Sequence, residues 1–389
     1  MRIRHSTVRL GKASLPLLLL LLGIMVFPGC AEARTGAVAG GWSGGTVAED
    51  TLFIGSMEGQ LVAIDTADGS RLWSVSLTSP ESAGGGFGCA PASASVVIYG
   101  TPAVAGDLVY IGGYIYQANV ARGKVYAFIN GRDETEWEYP RQGVLDGPII
   151  GGLVAAHGKV YFGAADGKAY ALEGSGGYTE WEFETGGEIW STPAVDGNTL
   201  FVGSFDKKLY ALDIADGSQK WEFETEGAIV ATPLVYNDTV YIGSFDRYLY
   251  AVDANNGNLR WKFLAGNWFW AKPVIHNGII YAGCLDGKVY ALDAETGARL
   301  VAFDLGSPIS SSTVLVDDLL IVAATNDKQA KVYSLDTVTN EKKLLADLDA
   351  RVDAPLAASQ GIIYVHTDKD GLYAVDARSG AKREFNLKP

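Results

Sequence analysis

The sequence predicts an all-β fold, an eight-bladed β-propeller with four antiparallel strands in each blade. Three observations predict it. A short aromatic-apolar-Gly motif recurs, at 40-residue spacing through the middle of the chain, a second run, mostly aromatic-Ala, follows each copy, and no helix-period segment interrupts the pattern. Of the 389 residues, 48% are apolar and 20% charged, with 48 glycines, 19 tyrosines and 9 tryptophans. That balance suits a turn-dense, aromatic-rich sheet protein with a large core and argues against general disorder.

In chain order, residues 1–29 read as a secretion signal. Arg2, Arg4, Arg9 and Lys12 form a basic start, and Leu15 to Phe27 an apolar stretch of 13 residues. A bilayer span needs about 20 apolar residues, so this stretch is too short to be one. It ends in Phe27-Pro28-Gly29-Cys30, which resembles the bacterial lipobox, with Cys30 as the lipidated first residue of the mature chain. Phe27 and Pro28 depart from the usual aliphatic-then-small pair, and the alternative is an ordinary signal cut nearby with Cys30 incidental. The expectation is an extracytoplasmic lipoprotein. It would sit at the periplasmic face of an outer membrane, or on the outer face of the cytoplasmic membrane where there is one membrane. Residues 30–42 read as the lipidated terminus and linker, and residues 43–389 as the propeller.

Formal net charge is −14, and the mature part is more acidic still once the four basic residues of the signal are gone. No Lys/Arg stripe appears after residue 30, so nucleic acid is not an expected partner.

The units follow in order. Phe53, Tyr110, Tyr161, Phe201, Tyr241, Tyr281, Ile321 and Tyr364 open eight copies of the first motif, and the five from Tyr161 to Ile321 stand 40 residues apart each time. The second runs are Val62-Ala63-Ile64, Tyr126-Ala127-Phe128, Tyr170-Ala171-Leu172, Tyr210-Ala211-Leu212, Tyr250-Ala251-Val252, Tyr290-Ala291-Leu292, Tyr333-Ser334-Leu335 and Tyr373-Ala374-Val375. Turns short enough for hairpins separate the two runs. An acid usually closes the second run, and a further strand begins near Trp73, Trp137, Trp181, Trp221 or Trp261. By the same count Val301, Leu344 and Glu384 hold that place in the last three units, which predicts looser docking there. The innermost strand of several units opens near Thr-Pro, as at Thr101-Pro102, Thr192-Pro193 and Thr232-Pro233. A lone four-stranded sheet cannot bury both faces, so the blades must stack around a ring.

The composite Thr-Pro-x-Val…Tyr-Ile-Gly-Ser-x-Asp-Gly-x-Leu-Tyr-Ala-Leu-Asp…Gly-x-x-x-Trp resembles the PQQ-like propeller repeat over residues 43–389. The resemblance implies that Trp73, Trp137, Trp181, Trp221 and Trp261 are docking tryptophans between blades. With the lipobox, it is similar to the BamB-type lipoprotein family of the outer-membrane β-barrel assembly machinery. That implies a non-enzymatic, membrane-anchored, monomeric scaffold that binds a protein partner in the cell envelope. PQQ-dependent dehydrogenases share the repeat, so a quinoprotein or small-ligand sensor is the alternative reading. Their adjacent-cysteine ring is absent here, and their calcium set cannot be placed on this chain. PQQ and calcium therefore stay unsupported as cofactors.

Counting three back from the Thr-Pro proline, Trp42, Tyr99, Trp190 and Trp270 share one place at the mouth of the central funnel. Val230, Ser310 and Val352 hold it elsewhere. Aromatics at a mouth suit a planar ligand or an apolar partner side chain, and they equally suit a plug for the funnel. Trp268 is adjacent, and Lys272 replaces the usual threonine. Two insertions, Thr78 to Ile98 with Phe87 and Tyr114 to Arg122 with Tyr116, should open on the same side as Trp190 and Trp270. The second reads as a lengthened turn. These residues, Tyr114 included, are the candidate partner or ligand contacts. No catalytic set emerges: His157 and His276 read as turn residues in the same slot of different repeats, no zinc spacing occurs, and repeated aspartates read as hairpin closers. Cys89 and Cys284 stand 195 residues apart with nothing to pair them, and Cys284 fills the small-residue slot of Ser204 and Ser244.

Overall fold

The computed structural model describes residues 42–77, 96–117 and 120–387, with the backbone alone at 116 and 117. Cys30, the signal, residues 30–41, Phe87 and Cys89 lie outside the described residues. Among the described residues there is no helix, and every strand belongs to one of eight four-stranded antiparallel sheets.

Blade one runs Gly45–Ala48, Thr51–Gly55, Gln60–Asp65 and Arg71–Ser76, each strand paired with the next. The other seven repeat this meander over 103–139, 154–184, 194–224, 234–264, 274–304, 314–348 and 357–385. Sequence dictates the turns. His157-Gly158 and Asn277-Gly278 both carry positive φ (52° and 73°, 50° and 75°), as a two-residue type I′ hairpin between twisted strands requires. His157 and His276 are therefore one position apart in their repeats: His157 lies in the turn, whereas His276 ends the strand Val274–His276 and bonds Asp318 at 2.8 Å.

Eight apolar clusters, each bridging two neighbouring blades, hold the described residues together. One of them joins Leu52, Ile54 and Ile64 of blade one to Tyr364, Leu372 and Phe385 of blade eight, so the ring is closed. Among the described residues, all four strands of each of those two blades come from one stretch of chain, and side-chain packing with hydrogen bonds such as Met57 N–H to Asp370 Oδ1 at 3.0 Å, rather than a shared strand, joins them.

The tryptophans expected between blades are there. Trp137, Trp181, Trp221 and Trp261 donate Nε1–H to the carbonyls of Gly174, Ile214, Ala254 and Ala294 in the following blade, at 2.8 to 3.1 Å. Each ring also lies on a turn glycine of that blade, Gly177, Gly217, Gly257 and Gly297, where an added Cβ would meet it at 2.5 to 2.9 Å. Trp73 differs, bonding the Asn130 side chain at 3.2 Å.

The slot assignment for the last two blades needs correction. In blade eight the fourth strand pairs without the bulge that offsets the others, so Arg383 faces Ala374 as Trp181 faces Ala171, and Phe385, not Glu384, fills the junction. Its ring lies on Gly69 of blade one and 6.2 Å from Tyr364, as Trp181 lies 5.9 Å from Tyr161. In blade seven the bulge falls elsewhere, so Leu345 is buried and Leu344 is 47% exposed.

The insertion at Tyr114 to Arg122 lengthens strands rather than a turn. It extends the middle hairpin of blade two to Leu108–Gln117 and Val120–Ile129, tethered where Val97 pairs with Tyr114 and Gly123 with Leu145.

Candidate functional site

One end of the ring carries both the turns between second and third strands and the connections from one blade to the next. Backbone bonds fix this: Phe205 N–H donates to Glu188 O, Phe245 N–H to Ala228 O and Leu285 N–H to Trp268 O, at 2.9 to 3.0 Å. Aspartates brace the same turns. Asp206 accepts from Tyr210 OH at 2.6 Å, from Lys208 N at 3.0 Å and from Gly186 N at 2.7 Å; Asp246 and Asp286 repeat the pattern. These carboxylates close hairpins, as the sequence suggested. Burial first, and then the aspartate bond, raises the Tyr210, Tyr250 and Tyr290 hydroxyls well above the usual phenol range.

The mouth residues do form a ring. Strand register places Trp42, Tyr99, Ile150, Trp190, Val230, Trp270, Ser310 and Asp353 at equivalent positions. Asp353 replaces Val352 in this set, because Ala357 pairs with Tyr364 as Ala194 pairs with Phe201. Two neighbouring pairs in the ring touch. Trp42 meets Tyr99 edge-on at 4.5 Å, and Ser310 donates to Asp353 at 3.0 Å.

The candidates separate into two aromatic groups. Trp42, Tyr99 and Tyr114 form one, with Tyr99 stacked on Tyr114 at 5.6 Å. Tyr114 is 2% exposed, which removes it as a surface contact. Its hydroxyl and that of Tyr99 are 3.4 Å apart, and it serves the base of the long hairpin. Of Tyr116 only the backbone, within the strand Leu108–Gln117, is described.

The second group spans blades four to six without a break. Trp190 meets Phe205 edge-on at 4.7 Å, Phe205 lies 6.3 Å from Phe245, and Phe245 stacks on Trp268 at 4.5 Å and on Trp270 at 5.4 Å. All five rings are half-buried, so each keeps part of its surface in water. Trp190 is oriented by its Nε1–H, which donates to Glu188 Oε2 at 2.8 Å.

Phe205 and Phe245 connect the strip, and sequence reasoning passed over them as turn residues. Their signal was a bulky aromatic right after Gly-Ser in two consecutive units, at a hairpin turn where polar residues are the rule.

Cys284 is buried with a free thiol. Its Sγ–H points at the carbonyls of Asn267 and Trp268, 3.2 and 3.4 Å away, as the Ser204 hydroxyl points at Gly187 and Glu188. Burial pushes the thiol up to about 12. Among the described residues no three of His, Cys, Asp or Glu gather as a metal site, and no helix is long and apolar enough to cross a membrane.

A family model described as outer membrane protein assembly factor BamB matches residues 29–188, 177–300 and 285–383. No curated protein matches the chain. Among solved structures, the crystal structure of BamB from Moraxella catarrhalis is similar with a TM-score of 0.63 at 17% identity, over 84% of this chain and 92% of that one. The computationally designed Ika8 protein is similar with a TM-score of 0.66 at 18% identity, over 90% and 96%. At such identities the likeness speaks for the fold.

Proposed function

Since the chain belongs to the family of the outer membrane protein assembly factor BamB, we propose that it is a non-enzymatic, monomeric scaffold that binds a protein partner in the cell envelope, with outer-membrane protein assembly as its setting. A lipid on Cys30 would anchor it to the membrane, outside the cytoplasm. One observation carries the reading: the unbroken strip Trp190–Phe205–Phe245–Trp268–Trp270 across three blades, partly exposed on a rigid scaffold. Partly exposed aromatics gain when a partner covers them, and exposed apolar patches mark interaction sites.

Paired Trp190→Ala and Trp270→Ala substitutions test it in cells of the source bacterium. The variant should accumulate to normal levels yet lower the amount of folded outer-membrane β-barrel protein, as deletion of the gene would. A deletion phenotype fully rescued by the variant would rule the strip out as the working face. Titration of the purified protein with PQQ and calcium should give no saturable tryptophan quenching. Quenching accompanied by dye-linked alcohol or sugar oxidation would replace the scaffold with a quinoprotein.

A further inference from the structure

We propose that the mouth holds a seat for one carboxylate, with Lys272 as its counter-ion and the aromatic wall as the apolar surface beside it. The seat lies one layer below the ring of Trp190 and Trp270. Register puts Gly44, Thr101, Gly152, Thr192, Thr232, Lys272, Ser312 and Pro355 at equivalent positions in the eight blades. Neighbours in this layer also touch: Gly152 N–H donates to Thr192 Oγ1 at 2.7 Å, and Lys272 N–H to Ser312 Oγ at 3.2 Å. The layer therefore lines the inner wall of the ring.

Seven of its eight members are small, neutral or both, and Lys272 stands alone as a charge. It is half-buried, and among the described residues its ammonium has neither an ion pair nor a hydrogen bond. Burial pushes the ammonium below the usual lysine range, and no acid nearby holds it up. The repeat does not need a cation here, since threonine, serine and glycine serve elsewhere. A stabilising role is equally hard to find, because a desolvated, unpaired ammonium costs free energy.

The neighbouring blade adds a hydroxyl, since Ser312 accepts from Lys272 and retains its own O–H. An ammonium and a hydroxyl donor recognise a carboxylate by charge-assisted bonds, and Trp270, two residues before Lys272, recommends one borne next to a flat apolar group. A small aromatic acid and a peptide carboxylate share this chemistry. The inference rests on the mouth being the working face and names what binds there.

Intrinsic tryptophan fluorescence and calorimetry on the whole mature protein test it with two probe pairs. One is indole-3-propionate with its uncharged amide; the other is a short Phe-ending peptide with a free or an amidated carboxyl terminus. At least one acid should bind about tenfold more tightly than its amide. Lys272→Met should erase the preference, and Lys272→Arg should keep it. Preference for the peptide acid alone assigns the seat to a protein segment, and for the indole acid alone to a small molecule. Equal binding of acid and amide, binding of no probe, or a preference that survives Lys272→Met would overturn the seat. The Trp190/Trp270 variant in cells is read in parallel. A failed carboxylate preference with that phenotype intact removes the seat and leaves the scaffold reading standing.

Discussion

Trp181 and Gly217 meet face to face across the junction of blades three and four. The indole Nε1–H bonds the Ile214 carbonyl at 3.1 Å, and a Cβ on Gly217 would stand 2.7 Å from the ring. Gly217 also has φ of 75°, in the left-handed region. Gly217→Ala therefore incurs two penalties, about 1–2 kcal/mol for the backbone and about 1–3 kcal/mol for overpacking. Urea denaturation should show a loss in that combined range, whereas alanine at Gly197, with open space around its Cβ, should show only the backbone part.

The ring closes on Phe385, whose side chain occupies the junction between blades eight and one. Phe385→Ala should cost about 3–5 kcal/mol, the usual range for emptying a buried aromatic site. Hydrogen exchange should locate the effect: amides in 45–76 and 357–385 should exchange faster, while those in 199–264 keep their protection. Uniform acceleration would mean that closure is not local to this seam.

The acids that end the third strands set a pH dependence. Turn hydrogen bonds hold Asp213, Asp293, Asp336 and Asp376 below the usual 3.8, and Arg260 comes first for Asp253. A carboxyl whose value is lower folded than unfolded stabilises the fold above the unfolded value. That contribution disappears as pH falls through the folded one. The urea midpoint should stay level between about pH 7 and 5 and drop below about pH 4. A triple Asp213→Asn, Asp293→Asn, Asp376→Asn variant should show a shallower drop.

Cys284 behaves as a serine in its repeat. Cys284→Ser should change stability by less than about 1 kcal/mol, and Cys284→Leu should cost about 1–3 kcal/mol by overpacking. With its thiol raised to about 12 by burial, the native protein should react with a thiol-specific disulfide reagent at this site only after unfolding.

The fold was legible because each blade repeats the same physical problem, so Tyr161, Phe201, Tyr241 and Tyr281 recur at fixed intervals with Ala171, Ala211, Ala251 and Ala291 opposite them. Counting failed where a bulge was lost or moved. Phe385 and Leu345 each stand one residue from the expected docking position, since bulges depend on pairing geometry rather than on residue type. The site was half legible. Trp190 and Trp270 stood out against the repeat, but Phe205 and Phe245 join them only through blade-to-blade packing. Tyr114 read as a surface contact because strand extension and turn extension look alike in sequence.

The central claim is that the partner sits on the aromatic strip. A photo-crosslinking amino acid at Phe245, compared with one at Tyr236 near the hairpin turn at the other end of the same blade, tests it directly in living cells. The strip position should give one defined adduct with an envelope protein, and Tyr236 none. Adducts at Tyr236 with none at Phe245 would place the working face on the opposite end of the ring and contradict the claim.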